Sequence, residues 1–274
     1  MSSSPVSDAN DSLATPAVAW PTVLLGVGAW SAQGLALWGA WTERWPALAV
    51  VVVASVAAYG SFTVLHEAVH GSLCLKVRGI NAVAARLAGL PLTAPGWAFR
   101  WLHLEHHRHT NDPRRDPDIW NGAGARWTLP LRWASTDWAQ YAFYFRHWSA
   151  RPLGERVETV VVLAGIVAAA GWGIAAGHGW ALLWGWILPA RIALFVLAFS
   201  FDYIVHVPHQ VTAAQDRLRA TRNLGVPRPV GLLMLGQDLH LVHHLHPGVP
   251  FYRYRKAWND LREVHAVLNY MNGG

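Results

Sequence analysis

Apolar residues fall into three long stretches of the chain, separated by segments that carry most of its charge. Residues 18–41 are apolar apart from small polar residues and Gln33, and residues 48–65 carry no charge. The third stretch, residues 157–204, is interrupted in its middle by Gly177-His178-Gly179. A helix needs about 20 residues to cross roughly 30 Å of hydrocarbon, so this stretch predicts two helices joined by a tight turn. The pattern predicts an all-α integral-membrane fold with four spans, near residues 18–41, 46–66, 157–177 and 180–204.

The segment before the first span has a different composition. Residues 1–17 are mostly small or polar and include no Lys or Arg. A signal peptide begins with basic residues, so we expect a disordered tail here rather than a targeting signal. Residues 18–274 are expected to form a single membrane domain. Its only cysteine, Cys74, can form neither an internal disulfide nor an iron–sulfur cluster alone, so redox chemistry would need electrons from outside the chain.

Basic residues are distributed very unevenly about the predicted spans. All of the 22 Lys and Arg residues except Arg44 and Arg191 lie in the long segment between the second and third spans or after the fourth. With four spans, these segments and both termini share one side of the membrane. The positive-inside rule predicts that this side is cytoplasmic. The net charge of +6 is explained by topology, so no nucleic-acid partner is expected.

The fifteen histidines are the main chemical signal, because most of them are clustered at this same side. One cluster, HEAVH at residues 66–70, ends the second span; HLEHH occupies 103–107 and HLVHH occupies 240–244. His206 and His209 follow the end of the fourth span. Side chains three or four residues apart share a helix face, so each cluster can direct two or three imidazoles at one point.

Eight clustered histidines exceed the number of ligands that one metal ion can take. Imidazole suits iron, zinc, copper and nickel. The sequence therefore predicts two metal ions, held by a helical cap on the cytoplasmic face.

One segment has a competing interpretation. His66-Glu67-Ala68-Val69-His70 matches HExxH, in which the glutamate of a zinc protease acts as general base. An intramembrane zinc protease is an alternative, although it leaves both HxxHH clusters unused. If the protease interpretation fails, Glu67 becomes a candidate to accept a hydrogen bond from a metal-bound imidazole.

The histidine clusters, the four spans and the long cap segment together resemble the membrane fatty-acid desaturase superfamily. Within it, the sequence most resembles the cyanobacterial-type β-carotene hydroxylases. HLEHHRHTNDPRRDPD (103–118), FDYIVHVPH (201–209) and LGQDLHLVHHLHPGVPFYRY (235–254) carry this resemblance. Glu67 stands where that group usually has aspartate, a departure that leaves the histidine ligands intact.

The resemblance implies nine histidine ligands. They are His66, His70, His103, His106, His107, His206, His240, His243 and His244. A further set of residues is expected to support these ligands or shape the loops around them: Glu67, His109, Asp116, Asp118, His209 and Gln237.

The resemblance also implies a function. Two iron ions would activate O₂ as co-substrate to hydroxylate a carotenoid ring, with electrons from a ferredoxin-type donor. The main alternative is a desaturase or hydroxylase of fatty-acyl or other lipids, and a metal-binding or transport protein is a further one. Substrate would enter from the bilayer, where Phe195, Phe199, Phe201 and Tyr203 are candidates to line its path.

Overall fold

The structure, a computed structural model, is built from helices that either span the membrane or form a cap at one end of the spans. It describes residues 11–271, and the side chains of residues 11–262. Within that range the only strand-like pairings are two isolated bridges, Val18 with Cys74 and Asn223 with Leu239. The predicted all-α class is confirmed.

Among the residues that the structure describes, four helices are long and apolar enough to cross a bilayer, as predicted. They are α1 (Trp20–Trp41), α2 (Ala47–His70), α7 (Leu153–Ala175) and α8 (Gly179–His206). At 1.5 Å per residue, α8 with its 28 residues is about 42 Å long, which exceeds the roughly 30 Å of hydrocarbon. The end of α8 that carries His206 can therefore project beyond the apolar layer.

The cap is formed by shorter helices from two parts of the chain. Between α2 and α7 lie α3 (Arg78–Gly89), α4 (Gly96–His109), α5 (Leu129–Ala134) and α6 (Thr136–Arg146). After α8 come α9 (Arg228–Leu233), α10 (His240–Leu245) and α11 (Tyr254–Met271). The HLEHH cluster lies on α4 and the HLVHH cluster is on α10, so each is helical as its spacing predicts.

α2 is the central span, and its sequence explains why. Small residues along it, including Ala54, Ala57, Ala58 and Gly60, are buried and allow neighbouring helices to approach closely. Nearer its end, Phe62 and Leu65 join a core that also contains residues of α4 and α8. This packing places the HEAVH segment in the middle of the molecule.

The end of α2 is fixed by a glycine. Gly71 has a φ of 75°, a left-handed conformation that suits glycine at a helix C-terminus. Its N–H donates to Ala68 O at 3.1 Å, and Ser72 N–H donates to Glu67 O at 3.0 Å. The helix therefore stops directly after His70, and the chain turns away into the cap.

α8 departs from regular α-helical geometry at two places. Residues Leu183–Ile187 and Ala198–Tyr203 are π-helical, a distortion that is frequent at functional sites. Between them, Arg191 forms a bidentate ion pair with Asp137 of α6, with N–O distances of 2.8 and 2.7 Å. This pair accounts for a charged residue in the middle of an apolar span.

The segment before α1 differs from the expected disordered tail. Residues 1–10 lie outside the described residues, but residues 11–17 are part of the fold. Ala17 O accepts from Leu75 N–H at 3.1 Å, and Ala14 O accepts from the Arg253 guanidinium at 3.0 Å. These backbone groups find partners in two segments of the cap, so the prediction of disorder was wrong for residues 11–17.

Candidate metal centre

The nine histidines that the resemblance implies come together in two adjacent groups. Within each group, the ring nitrogens lie within 4.8 Å of one another. The first group is His66, His70, His103, His107 and His243. The second group is His106, His206, His240 and His244. All nine are buried or partly buried where α2, α4, α8 and α10 meet.

Helix geometry explains why each HxxHH cluster serves both groups. Positions i and i+4 differ by about 40° around a helix axis, whereas i+3 lies about 60° to the other side of i. On α4, His103 and His107 therefore join the first group while His106 joins the second. On α10, His240 and His244 join the second group and His243 joins the first.

In the first group, the facing Nε2 atoms lie at short distances. His70 Nε2 is 2.8 Å from His103 Nε2, and His103 Nε2 is 3.1 Å from His107 Nε2. His243 Nε2 is 2.9 Å from His107 Nε2 and 3.0 Å from His66 Nε2. Two metal–nitrogen bonds of about 2.1 Å at a right angle separate their nitrogens by about 3 Å. The spacing in the first group therefore fits one metal ion.

In the second group, hydrogen bonds define where the imidazole protons are. His206 Nδ1 faces the Asp202 carbonyl oxygen at 2.6 Å, and His240 Nδ1 faces Gln237 Oε1 at 2.7 Å. Both acceptors require a proton on Nδ1, which leaves a lone pair on each Nε2. These two lone pairs point at His244 Nε2, at 3.3 and 3.1 Å. His244 can donate to only one of them, whereas a metal ion satisfies all three.

The remaining member of the second group is held by carboxylates. His106 Nδ1 donates to Asp116 Oδ1 at 2.9 Å and lies 3.5 Å from Asp118 Oδ2. Burial lowers the pKa of His106, but the charge of Asp116, its hydrogen bond and the charge of Asp118 outweigh burial and raise it to about 9. Five other histidines of the two groups lie on the cap helices, and their pKa values are held well below the usual range. Burial is the main cause and the neighbouring imidazoles are the second, so these side chains are neutral and can bind a metal ion. These are His103, His107, His240, His243 and His244.

The two groups are close enough to form one binuclear site. The rings of His107 and His244, one from each group, are stacked with centroids 4.2 Å apart. Nine imidazoles also leave coordination positions open when they are shared between two ions. The donor set and its spacing therefore fit two metal ions, and the assignment of all nine as ligands stays a prediction.

The supporting residues proposed from sequence divide into two kinds. Asp116 and Gln237 each accept a hydrogen bond from a histidine of the second group, and Asp118 lies beside the same histidine as Asp116. By contrast, His109 lies 3.4 Å from Glu105, and His209 is 3.2 Å from Asn111 Oδ1; neither belongs to a group.

Glu67 does not have the role that we expected from its position between two histidines. Its buried carboxylate accepts from the Thr22 hydroxyl of α1 and from the Phe251 backbone N–H after α10. It therefore joins the first span to the C-terminal segment and does not orient an imidazole. A zinc-protease glutamate must instead face the metal-bound water, so this geometry argues against the protease alternative.

Two residues that contact the histidine groups had no role predicted from the sequence. Tyr254, fully buried, has its hydroxyl 3.0 Å from His243 Nδ1. Asp202 offers its carbonyl to His206 and accepts from Asn121 Nδ2 through its carboxylate at 2.8 Å. Both lie in segments that carry the resemblance: Asp202 in FDYIVHVPH and Tyr254 in the stretch that ends in FYRY. Their place in these segments is the one sequence signal that points to them.

A narrow cleft with about 50 Å³ of internal space leads to the first group and reaches His103. Its apolar lining includes Phe62, Phe99, Leu102 and Leu197. The aromatic residues predicted to line such a path lie elsewhere. Phe195, Phe199 and Tyr203 pack around Trp133, and Phe201 packs against Phe62 and His66.

Comparison with known proteins gives consistent matches. A family model described as fatty acid desaturase matches residues 43–270. The chain is 26% identical over 271 residues to the sn-1 oleoyl-lipid 12-desaturase of Synechocystis sp., covering 89% of the chain and 76% of that relative. It is 29% identical over 217 residues to the beta-carotene ketolase of Paracoccus sp., covering 76% of the chain and 78% of that relative. It also matches the dihydrorhizobitoxine desaturase of Bradyrhizobium elkanii, at 26% identity over 72% of the chain and 62% of that relative.

Proposed function

The chain belongs to the fatty acid desaturase family, and from that premise we propose that it is a di-iron, O₂-dependent membrane enzyme that hydroxylates the ring of a carotenoid. Membership makes the chain an oxidoreductase, and its four apolar helices agree with an enzyme of the membrane. The identity of the metal, the substrate and the reaction are our proposals.

The observation that carries the proposal is the convergence of nine imidazoles in two adjacent groups. Iron bound there would supply the oxidising power to take hydrogen from an unactivated C–H bond with O₂. The chain supplies nitrogen ligands and fixes the ring orientation of two of them through a hydrogen bond at Nδ1. Asp116 does so for His106, and Gln237 does so for His240. Fixed ligand orientation of this kind is typical of catalytic metal sites.

The cleft that ends at His103 supports a lipidic substrate. Its aromatic and aliphatic side chains come from α2, α4 and α8 and form an apolar surface that leads to the histidine groups. The narrow shape would hold one carbon of the substrate beside the first group. Position matters here, because a misplacement of about 1 Å can reduce a rate about a hundredfold.

We further propose that the histidine end of the spans faces the cytoplasm, where a soluble, ferredoxin-type protein delivers electrons. The supporting observation is the concentration of basic residues on that side of the spans. An acidic donor would be attracted to such a surface, and its encounter rate would fall with added salt.

A second candidate function is desaturation of an acyl lipid. The observation in its favour is that the oleoyl-lipid desaturases match more of the chain than the ketolases do, at similar identity. Both candidates use the same histidine groups and differ in the substrate that the cleft admits.

The experiment that tests the proposal is pigment and lipid analysis of cells that make β-carotene and a ferredoxin. Cells with the intact protein should accumulate a hydroxylated carotenoid, and cells with His243→Ala should not. His147→Ala is the matched control, since His147 bonds Phe143 O and belongs to neither group. Unchanged carotenoids together with altered acyl chains would replace the first candidate by the second. If neither pool changes, both candidates are wrong.

A further inference from the structure

The cleft that ends at His103 has two chemically different sides. Residues of α2, α4 and α8 give it a hydrocarbon side. The side formed by α6 is polar, because Thr136, Gln140 and Tyr141 all line the cleft. Thr136 and Gln140 are four residues apart on α6, so these two side chains share a face of the helix. Asp118 and Asp202 extend the polar side towards the histidine groups.

Two groups on this polar side retain hydrogen-bonding capacity. Thr136 is only 5% exposed, and its oxygen accepts from Asn121 Nδ2 at 3.0 Å. Gln140 Nε2 donates to Asp118 Oδ1 at 2.7 Å. Within residues 11–262, the hydroxyl proton of Thr136 and the amide oxygen of Gln140 have no other hydrogen-bond partner. The cleft therefore presents one free donor and one free acceptor beside each other on α6.

A plain hydrocarbon substrate would leave both groups without partners in a site from which it had displaced water. Buried polar groups are normally hydrogen-bonded, and an unpaired one is unfavourable. A hydroxyl can satisfy both at once, because it accepts from Thr136 and donates to Gln140. A carbonyl can satisfy only Thr136, and the middle of an acyl chain can satisfy neither.

We propose that the polar side of the cleft is a subsite for an oxygen substituent, so that the preferred substrate is a lipid ring that already carries a hydroxyl close to the carbon to be oxidised. This inference rests on the proposed function and narrows its substrate class. It also places the enzyme in a reaction sequence, since an earlier ring oxygenation must supply the substrate. Thr136 and Gln140 are then specificity-determining residues.

The test compares the binding of two carotenoids that differ only in ring hydroxyl groups. The protein is reconstituted with iron in phosphatidylcholine nanodiscs, and binding is followed through quenching of its tryptophan fluorescence. Thr136→Val removes the hydroxyl with little change in shape, and Thr136→Ser keeps it. Gln140→Leu is paired with Gln210→Leu, an exposed glutamine outside the cleft. Iron content is measured for each variant, because Gln140 also contacts Asp118.

We expect the intact protein to bind the hydroxylated carotenoid at least about tenfold more tightly than the hydrocarbon, since one well-made buried hydrogen bond is worth about that factor. Thr136→Val should reduce the preference to about threefold or less, while Thr136→Ser and Gln210→Leu should retain it. Gln140→Leu should weaken it at unchanged iron content.

Equal affinity for the two carotenoids, or a preference that survives both Thr136→Val and Gln140→Leu, would overturn the inference. If the hydrocarbon is nevertheless hydroxylated in cells, the proposed function stands and only the subsite is wrong. If the protein binds neither carotenoid and alters acyl lipids instead, the proposed function fails, and the subsite fails with it.

Discussion

Replacing Asp116 by asparagine should weaken metal binding at the second histidine group and spare the first. Asp116 accepts three hydrogen bonds, from His106 Nδ1 at 2.9 Å and from the backbone N–H groups of Asn111 and Asp118 at 2.7 and 2.9 Å. Asparagine removes the charge and offers an N–H where one of these donors now points. His106 then loses the partner that fixes its proton on Nδ1.

The size of the effect follows from the position of Asp116 directly behind a metal ligand. Removing such a partner typically lowers metal affinity tenfold to a hundredfold, which corresponds to about 1.4–2.7 kcal/mol. The first group contains neither Asp116 nor its hydrogen-bond partners. We therefore expect a chelator titration of the variant to release its two irons in separate steps. The iron of the first group should leave at the same chelator concentration as in the intact protein, and the iron of the second group at a much lower one.

Asp112→Asn is the matched control for this measurement. Asp112 lies in the same loop and accepts from the backbone N–H groups of Arg114 and Arg115, but it contacts no histidine of either group. Its variant should bind iron like the intact protein. Release of both irons in parallel from Asp116→Asn, or no change beyond about twofold, would refute the reasoning that carboxylate support is specific to the second group.

Three further changes test other contacts. Tyr254→Phe removes the hydroxyl that lies 3.0 Å from His243 Nδ1 and should accelerate the loss of iron to a chelator several-fold. Tyr252→Phe, at a partly exposed position, should leave that rate unchanged. Equal rates of iron loss from the two variants would contradict a role of Tyr254 in holding His243. Glu67→Gln should lower the free energy of unfolding by about 1–3 kcal/mol, because Glu67 hydrogen-bonds to Thr22 and to the Phe251 backbone. It should leave measurable oxygenase activity. Complete loss of activity in a folded, iron-loaded variant would contradict this structural role of Glu67. Asp137→Leu leaves Arg191 unpaired and should lower the free energy of unfolding in detergent by about 1–3 kcal/mol. Adding Arg191→Met should restore part of that free energy. If the double variant is no more stable than Asp137→Leu, the ion pair does not stabilise the span.

The spans and the histidine groups could be predicted because their signals are periodic and local. Long apolar stretches identify spans, and the spacing of histidines on a helix identifies ligands that share a face. Contacts between distant segments carry no such signal. The hydrogen bond between Glu67 and Phe251 joins residues 184 positions apart, and the ion pair between Arg191 and Asp137 joins residues 54 positions apart.

The cleft shows the same limit. An aromatic run on the fourth span suggested its lining, but the rotation of α8 was unknown. A π-helical segment over Ala198–Tyr203 changes that rotation next to Phe201 and Tyr203. Leu194 and Leu197, in the regular turn before this segment, line the cleft, while Phe199 packs on Trp133. Such a register change depends on packing, which the sequence of one segment does not encode.

The division of each HxxHH cluster between two groups has a consequence for biosynthesis. Neither group is complete without α10, which supplies His243 to one and His240 and His244 to the other. During translation, the four spans are synthesised before residues 240–244, because the fourth span already ends at His206. We therefore expect the proposed irons to bind after the spans have inserted, and a chain truncated before α10 should bind neither metal.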